Sequence, residues 1–242
     1  MPFNKIIKMS DMKKCVCLLL ALFSVCVSAQ KREIVEAASG EDLSKKASTQ
    51  IQFLFPEFTN GEVYYVGTPK GNGKLNYNML LGEMQFLENG KVLALANVSD
   101  VAVVNIDNRK FYPFNDKEFT EELLSTGKWK LRVRRKGNAA SHSKRGAYGG
   151  YSSTSSITSY SSIDSDSRQH ELSVIENVLI SLNCFYYLVG TNGKYVLIRN
   201  LKTFTKQFPA HRAQIEAFVK EHNIKFDNEN DLKKLLEYIF EI

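Results

Sequence analysis

Gly73–Asn97 reads GKLNYNMLLGEMQFLENGKVLALAN, and its apolar residues change step partway along. Leu75, Tyr77, Met79 and Leu81 are odd-numbered. Leu80, Met84 and Phe86 are even-numbered, with Gly82 at the crossover. Alternation of this kind marks a strand, whose side chains point to opposite faces with a period of two. A one-residue change of phase calls for a residue that does not pair, and glycine tolerates the dihedrals of such a bulge. The stretch therefore predicts one long strand kinked at Gly82, its halves offering core residues to opposite faces. A bend of that sort serves a curved sheet better than it serves the aiming of a catalytic Glu83.

The neighbouring segments continue the β pattern. Upstream, Ile51, Phe53 and Phe55 alternate with Gln52 and Leu54 until Pro56, and Asn60-Gly61 reads as a turn before a Val/Tyr strand. Downstream, Asn89-Gly90 and Asp107-Asn108 supply the positive φ angles that tight hairpins need, between Lys91–Asn97, Val101–Ile106 and Arg109–Phe114. Strands at this spacing predict an antiparallel meander. Residues 115–127 read as a short helix, with Asn115 or Asp116 as its cap, Phe119, Leu123 and Leu124 inward, and Gly127 as the stop.

Next comes Lys128–Gly137, KWKLRVRRKG, the strongest charge feature outside the N-terminus. Trp129, Leu131 and Val133 point one way, and Lys128, Lys130, Arg132 and Arg134 the other, continued by Arg135 and Lys136. Two readings of this cationic strand are open. It is a solvated edge strand whose charges discourage unwanted pairing, or a surface for an anionic partner. The segment at 137–167 has eleven serines and four glycines in 31 positions, too polar to offset its ordering entropy by burial. It adds Lys144 and Arg145 beside Tyr148 and Tyr151, and cations with aromatics nearby can hold a partner. The candidate binding residues are therefore Lys128, Lys130, Arg132, Arg134, Arg135, Lys136, Tyr148 and Tyr151. Strands resume over Arg168–Val178, Leu179–Gly190 and Lys194–Asn200. Helices occupy about 203–242, the last with Leu232, Leu235, Leu236, Ile239 and Phe240 at helical spacing from a start near Asn230 or Asp231.

The N-terminus reads as an export signal. From Met12, Lys13 and Lys14 precede an apolar run from Cys15 to Val27, and Val27 and Ala29 stand where signal peptidase requires small residues. The run is shorter than the roughly 20 residues that span a bilayer. Val25 before Cys26 disfavours a lipid anchor. Removing residues 1–29 leaves 213 residues with 28 Lys and Arg against 25 Asp and Glu, a balance that points away from nucleic acid. It also leaves Cys184 alone, so stability in an oxidising compartment must come from a packed core. A chain of this size buries about 70% of its unfolded surface, which makes such a core feasible. No run in the mature chain reads as a transmembrane helix. Residues 30–49 form a polar lead-in with room for one helical turn, and residues 50–242 a single β-rich unit.

Reactive chemistry is sparse. His142, His170, His211 and His222 lack the short spacing of a metal pair, and no Cys-x-x-Cys occurs, so neither a metal nor another cofactor is expected. Cys184, within LISLNCFYYLVG, reads as a buried and inert thiol. Gly67–Lys74, GTPKGNGK, lacks the Gly-Lys-Ser/Thr ending of a phosphate loop and reads as a β-turn.

FTNGEVYY, the segment LNYNMLLGEMQFLENGKVLALANVSDVAVVNIDNRKFY, and the ending KTFTKQFPAHRAQIEAFVKEHNIKFDNENDLKKLLEYI together resemble a recurrent exported protein family of Gram-negative bacteria of the Bacteroidota kind. The likeness spans most of residues 50–240. It implies a periplasmic or cell-surface location and carries over no catalytic position. The reading as a whole is a β-rich α+β protein: a curved antiparallel meander, sandwich or partial barrel, with two C-terminal helices docked on it. Its expected role is a non-enzymatic cell-envelope interaction or structural module whose partner is an envelope protein or an anionic polymer. The alternative is a small exported hydrolase acting on envelope material.

Overall fold

In the computed structural model, residues 31–37, 42–141, 144–145, 151–152, 160–162 and 176–242 are described. The strands are β1 (Arg32–Ala37), β2 (Thr59–Tyr65), β3 (Gly71–Asn78), β4 (Glu83–Glu88), β5 (Lys91–Ala94), β6 (Val101–Ile106) and β7 (Arg109–Pro113). They continue with β8 (Phe119–Thr126), β9 (Trp129–Ser141), β10 (Lys144–Arg145), β11 (Tyr151–Ser152), β12 (Tyr160–Ser162), β13 (Glu176–Gly190) and β14 (Tyr195–Ile198). The helices are α1 (Leu43–Lys46), α2 (Thr49–Gln52), α3 (Leu201–Thr205), α4 (Arg212–Glu221) and α5 (Glu229–Glu241). The expected class holds: a large antiparallel sheet dominates, and C-terminal helices pack against it.

Gly82 does not kink a strand. It ends a hairpin turn, Met79–Gly82, that reverses the chain between β3 and β4. Once the chain reverses, odd residues of β3 and even residues of β4 share a face: Leu75 lies opposite Phe86, and Tyr77 opposite Met84. The change of parity is therefore the mark of a turn. The turn is apolar because it is interior, with Met79, Leu80 and Leu81 all buried. Its polar backbone is satisfied locally, since the Asn78 side-chain oxygen accepts from the N–H groups of Leu80 and Leu81, both at 3.1 Å. Gly82 takes φ +76°, a left-handed geometry that disfavours other residues.

The strand order is β1, β13, β9, β8, β7, β6, β2, β3, β4, β5, with β12 also on β9 and β14 also on β13. The β3–β4 turn nevertheless reaches β9 and β8: Gly137 N–H donates to Leu80 O and Phe119 N–H to Gly82 O, both at 2.8 Å. In a flat sheet β3 and β9 would be about 24 Å apart, at roughly 4.8 Å per strand. The sheet must therefore roll up, and its inner face holds Leu75, Tyr77, Val104, Phe111, Phe119 and Ile180 in a first core.

The β9–β13 ribbon is the spine. They pair along their lengths, from Gly190 opposite Trp129 to Val178 opposite Ser141. One end of the ribbon's inner face meets the β3–β4 hairpin. The other, with Leu131, Val133, Tyr186 and Leu188, meets Ile215 of α4 and Leu232, Leu235 and Leu236 of α5 in a second core. Asn228 caps α5 by accepting from the N–H groups of Asn230 and Asp231.

Several local expectations are corrected. Residues 119–126 are strand β8, not helix; Asn115 does accept two N–H bonds, from Lys117 and Glu118, but they close a turn that leads into a strand. The helical spacing of Phe119, Leu123 and Leu124 arises from a register shift between Glu122 and Leu124. Ile51 lies in α2 and Phe53 makes a single bridge to Asn78, in place of a strand over Ile51–Phe55. Asn60-Gly61 lies inside β2, where Gly61 permits close approach: an added Cβ would stand 2.7 Å from Leu75 Cδ1 and 2.8 Å from Asn105 O. The polar lead-in contains β1, which pairs with β13. Gly137–Ser141, read as the start of the serine-rich segment, continue β9. The proposed signal at 1–29 lies outside the described residues.

Candidate interaction face

β9 is an interior strand between β8 and β13, which removes the reading of its cations as edge protection. Alternation splits the candidate residues. Lys130, Arg132, Arg134 and Lys136 share the outer face, while Arg135 points inward with Leu131 and Val133. Lys128 is exposed in the β8–β9 turn. Tyr148 lies outside the described residues, and Tyr151 stands in β11 opposite Arg145.

The outer row is partly neutralised from β8 and the turn before it. Glu118 accepts from Arg134 Nη1 at 2.8 Å and Lys136 Nζ at 2.6 Å. Glu122 lies 3.5 Å from Arg132 Nη2 and 3.8 Å from Lys130 Nζ. Burial would raise the Glu118 pKa, but Lys136 and Arg134 outweigh it and hold the carboxyl below its ordinary range. Four cations thus face two carboxylates.

Aromatic rings complete the layer. The Arg132 guanidinium sits 3.7 Å from the Tyr112 ring centroid and donates to the Tyr195 hydroxyl at 2.5 Å. Arg134 stands between Phe114 at 4.9 Å and Phe185 at 4.8 Å. Phe114, Tyr187 and Tyr195 contact one another at 5.3–5.7 Å between ring centroids. Burial pushes up the pKa of Tyr112 and Tyr187, keeping both neutral. Arg132 Nε, Arg134 Nε and Glu122 Oε2 are buried without a hydrogen-bond partner.

Arg135 belongs to a second ionic cluster, on the inner face between the two cores. It donates to Glu121 and, at 3.4 Å, to Glu229 at the start of α5; Glu121 also accepts from Arg109. With side-chain exposures of 7% for Arg135 and 3% for Glu121, this cluster is structural and out of reach of a partner.

Sequence reading missed Tyr112, Phe114, Tyr187, Tyr195, Glu118 and Glu122, which come from four other segments. One signal was present: EE at 121–122 and KLRVRR at 130–135 flank Gly127-Lys128 at hairpin spacing. Assigning 115–127 to a helix concealed it.

For catalysis, Glu118, Glu121 and Glu122 all have cationic partners. Among the described residues no group of three His, Cys, Asp or Glu side chains could hold a metal ion. His142 and His170 lie outside the described residues; His211 contacts Gln214, and His222 packs on Phe218. Cys184 is exposed, not buried, although it stands opposite the buried Arg135 in the β9–β13 pairing. Compared with models of known families, with curated proteins and with solved structures, the chain matches none.

Proposed function

We propose that this chain is an exported, non-enzymatic interaction module of the Gram-negative cell envelope, and that the outer face of β9 is its contact surface. The observation that carries the reading is a layer of stacked guanidinium groups and aromatic rings on the outer face of the sheet, with the half-exposed Lys130 at its margin and the exposed Lys128 beside it. Tyr, Phe and Arg are the residue types enriched at the energetic centres of protein interfaces.

Internal pairing argues for an envelope protein with an acidic patch over an anionic polymer. A polymer is held through free charge, and the carboxylates of Glu118 and Glu122 already engage this row. The apolar stretch at 15–27, preceded by Lys13 and Lys14, supports export. Among the described residues no helix is long and apolar enough to cross a membrane.

The test is affinity capture from envelope fractions with the wild type and a Lys128→Glu, Lys130→Glu variant. Both side chains lie at the margin of the layer, so the variant should keep its circular dichroism spectrum. Loss of a specific protein from the captured set is expected. An unchanged set, or one displaced only by soluble polyanion, overturns the reading.

A further inference from the structure

We propose that two copies of this chain associate through antiparallel pairing of β5 with β5 about a two-fold axis. This surface lies at the opposite end of the strand order from β13 and β9, so the dimer and the β9 contact face stand or fall separately.

β5 ends the strand order, and every residue from Lys91 to Ala94 is exposed. Its hydrogen-bonding parity follows from its pairing with β4. Glu88 faces Lys91 across the Asn89-Gly90 turn, and Leu95 N–H donates to Met84 O at 2.8 Å. Antiparallel pairs alternate between bonded and non-bonded, so Lys91, Leu93 and Leu95 spend their backbone groups on β4. Val92 and Ala94 direct N–H and C=O to the open side. Two guards of an edge are present, the four-residue length of β5 and Lys91 at its start; beyond Lys91, Val92–Ala96 contains no proline and no charge, and the β4 pairing has no bulge.

The side chains specify the occupant further. Leu87 (41% exposed) and Val92 (48%) sit on the outer face, and Leu93 (40%) on the inner face. Leu93 borders a groove of about 650 Å³ that Tyr65, Val66, Phe86 and Leu95 also line. The edge therefore calls for an extended segment with apolar residues on both faces and an open backbone edge of its own. β5 meets each of those requirements itself.

A two-fold axis at Leu93 sets Val92 against the partner's Ala94 and Ala94 against the partner's Val92, so all the outward backbone groups pair. The two Leu93 side chains then meet on the inner face. Such an interface is isologous and closes at two copies. Pairing of two four-residue strands belongs with the interfaces below roughly 1,200 Å² that are weak or transient, and a Kd on the order of 10–100 μM is expected.

The experiment combines sedimentation with cross-linking of the purified protein, the latter in a background with Cys15, Cys17, Cys26 and Cys184 replaced by serine. Leu93→Cys places two sulfurs on residues about 4.5 Å apart between Cα atoms, within disulfide range. Lys91→Cys places them roughly 14 Å apart, out of range. Ala94→Pro removes an outward N–H without touching β4, and Leu93→Lys is a second disrupting variant. The proposal expects concentration-dependent dimers weakened at least tenfold by either disrupting variant, and cross-linking by Leu93→Cys alone. It is overturned by a monomer at about 200 μM, by equal cross-linking of Lys91→Cys, or by Leu93→Cys capturing a different envelope protein.

Discussion

Gly61 shows how one residue can constrain three strands. It lies in β2 between β3 and β6, and a Cβ there would collide with Leu75 and with the backbone oxygen of Asn105. A side-chain tip can yield, but a carbonyl in a ladder cannot move alone. Gly61→Ala should destabilise the fold by about 1–3 kcal/mol, the usual range for overpacking, read as a lower midpoint in urea. Glu121 is constrained by charge instead. It is 2% exposed and accepts from both Arg109 and Arg135. Glu121→Gln would leave the buried Arg135 with Glu229 alone, 3.4 Å away, and the part-exposed Arg109 to solvent, at a cost of up to about 3–5 kcal/mol; thermal unfolding measures it. Neither role was legible in the sequence, where Asn60-Gly61 resembles a turn and Glu121 a surface helix position.

At the scale of elements, β8 decides most. Its sequence has a cap, a helical spacing and a glycine stop, yet it lies as a strand between β7 and β9. Local propensity lost because the strand places Glu118 and Glu122 against the outer cations of β9 and Glu121 against Arg135. A helix over these residues would leave the cations of an interior strand unpaired. The ladder has a pH signature. Glu118 has a folded pKa below its ordinary value of about 4.3. The folded state therefore binds its proton less tightly than the unfolded state does, and this contribution is complete above that ordinary value. It is lost as pH falls through the lowered folded value. Urea midpoints should fall on that acid limb, and Glu118→Gln should flatten the fall; an unchanged slope in the variant would contradict the assignment.

For the whole molecule, the β9–β13 ribbon joins two cores, one roofed by the β3–β4 hairpin and the other by α3, α4 and α5. Leu235 is fully buried in the second core, so Leu235→Ala should cost about 2–5 kcal/mol. Because Arg135 ties Glu229 of α5 to Glu121 between the cores, loss of one core should carry the other. Fluorescence of Trp129 beside the helices and far-ultraviolet dichroism of the sheet should then report a single transition. The sequence by itself determined the class, the turns at Asn89-Gly90 and Asp107-Asn108, the alternation of β9 and the amphipathic final helix. Each of these rests on side-chain periodicity or on backbone preferences within a few residues. Tertiary structure alone decided that the Gly82 segment turns inside the core, that β8 is a strand, and that β9 is interior with its cations paired. Those outcomes depend on which distant segments compete for the same backbone edges and counter-charges, and no local window contains that competition.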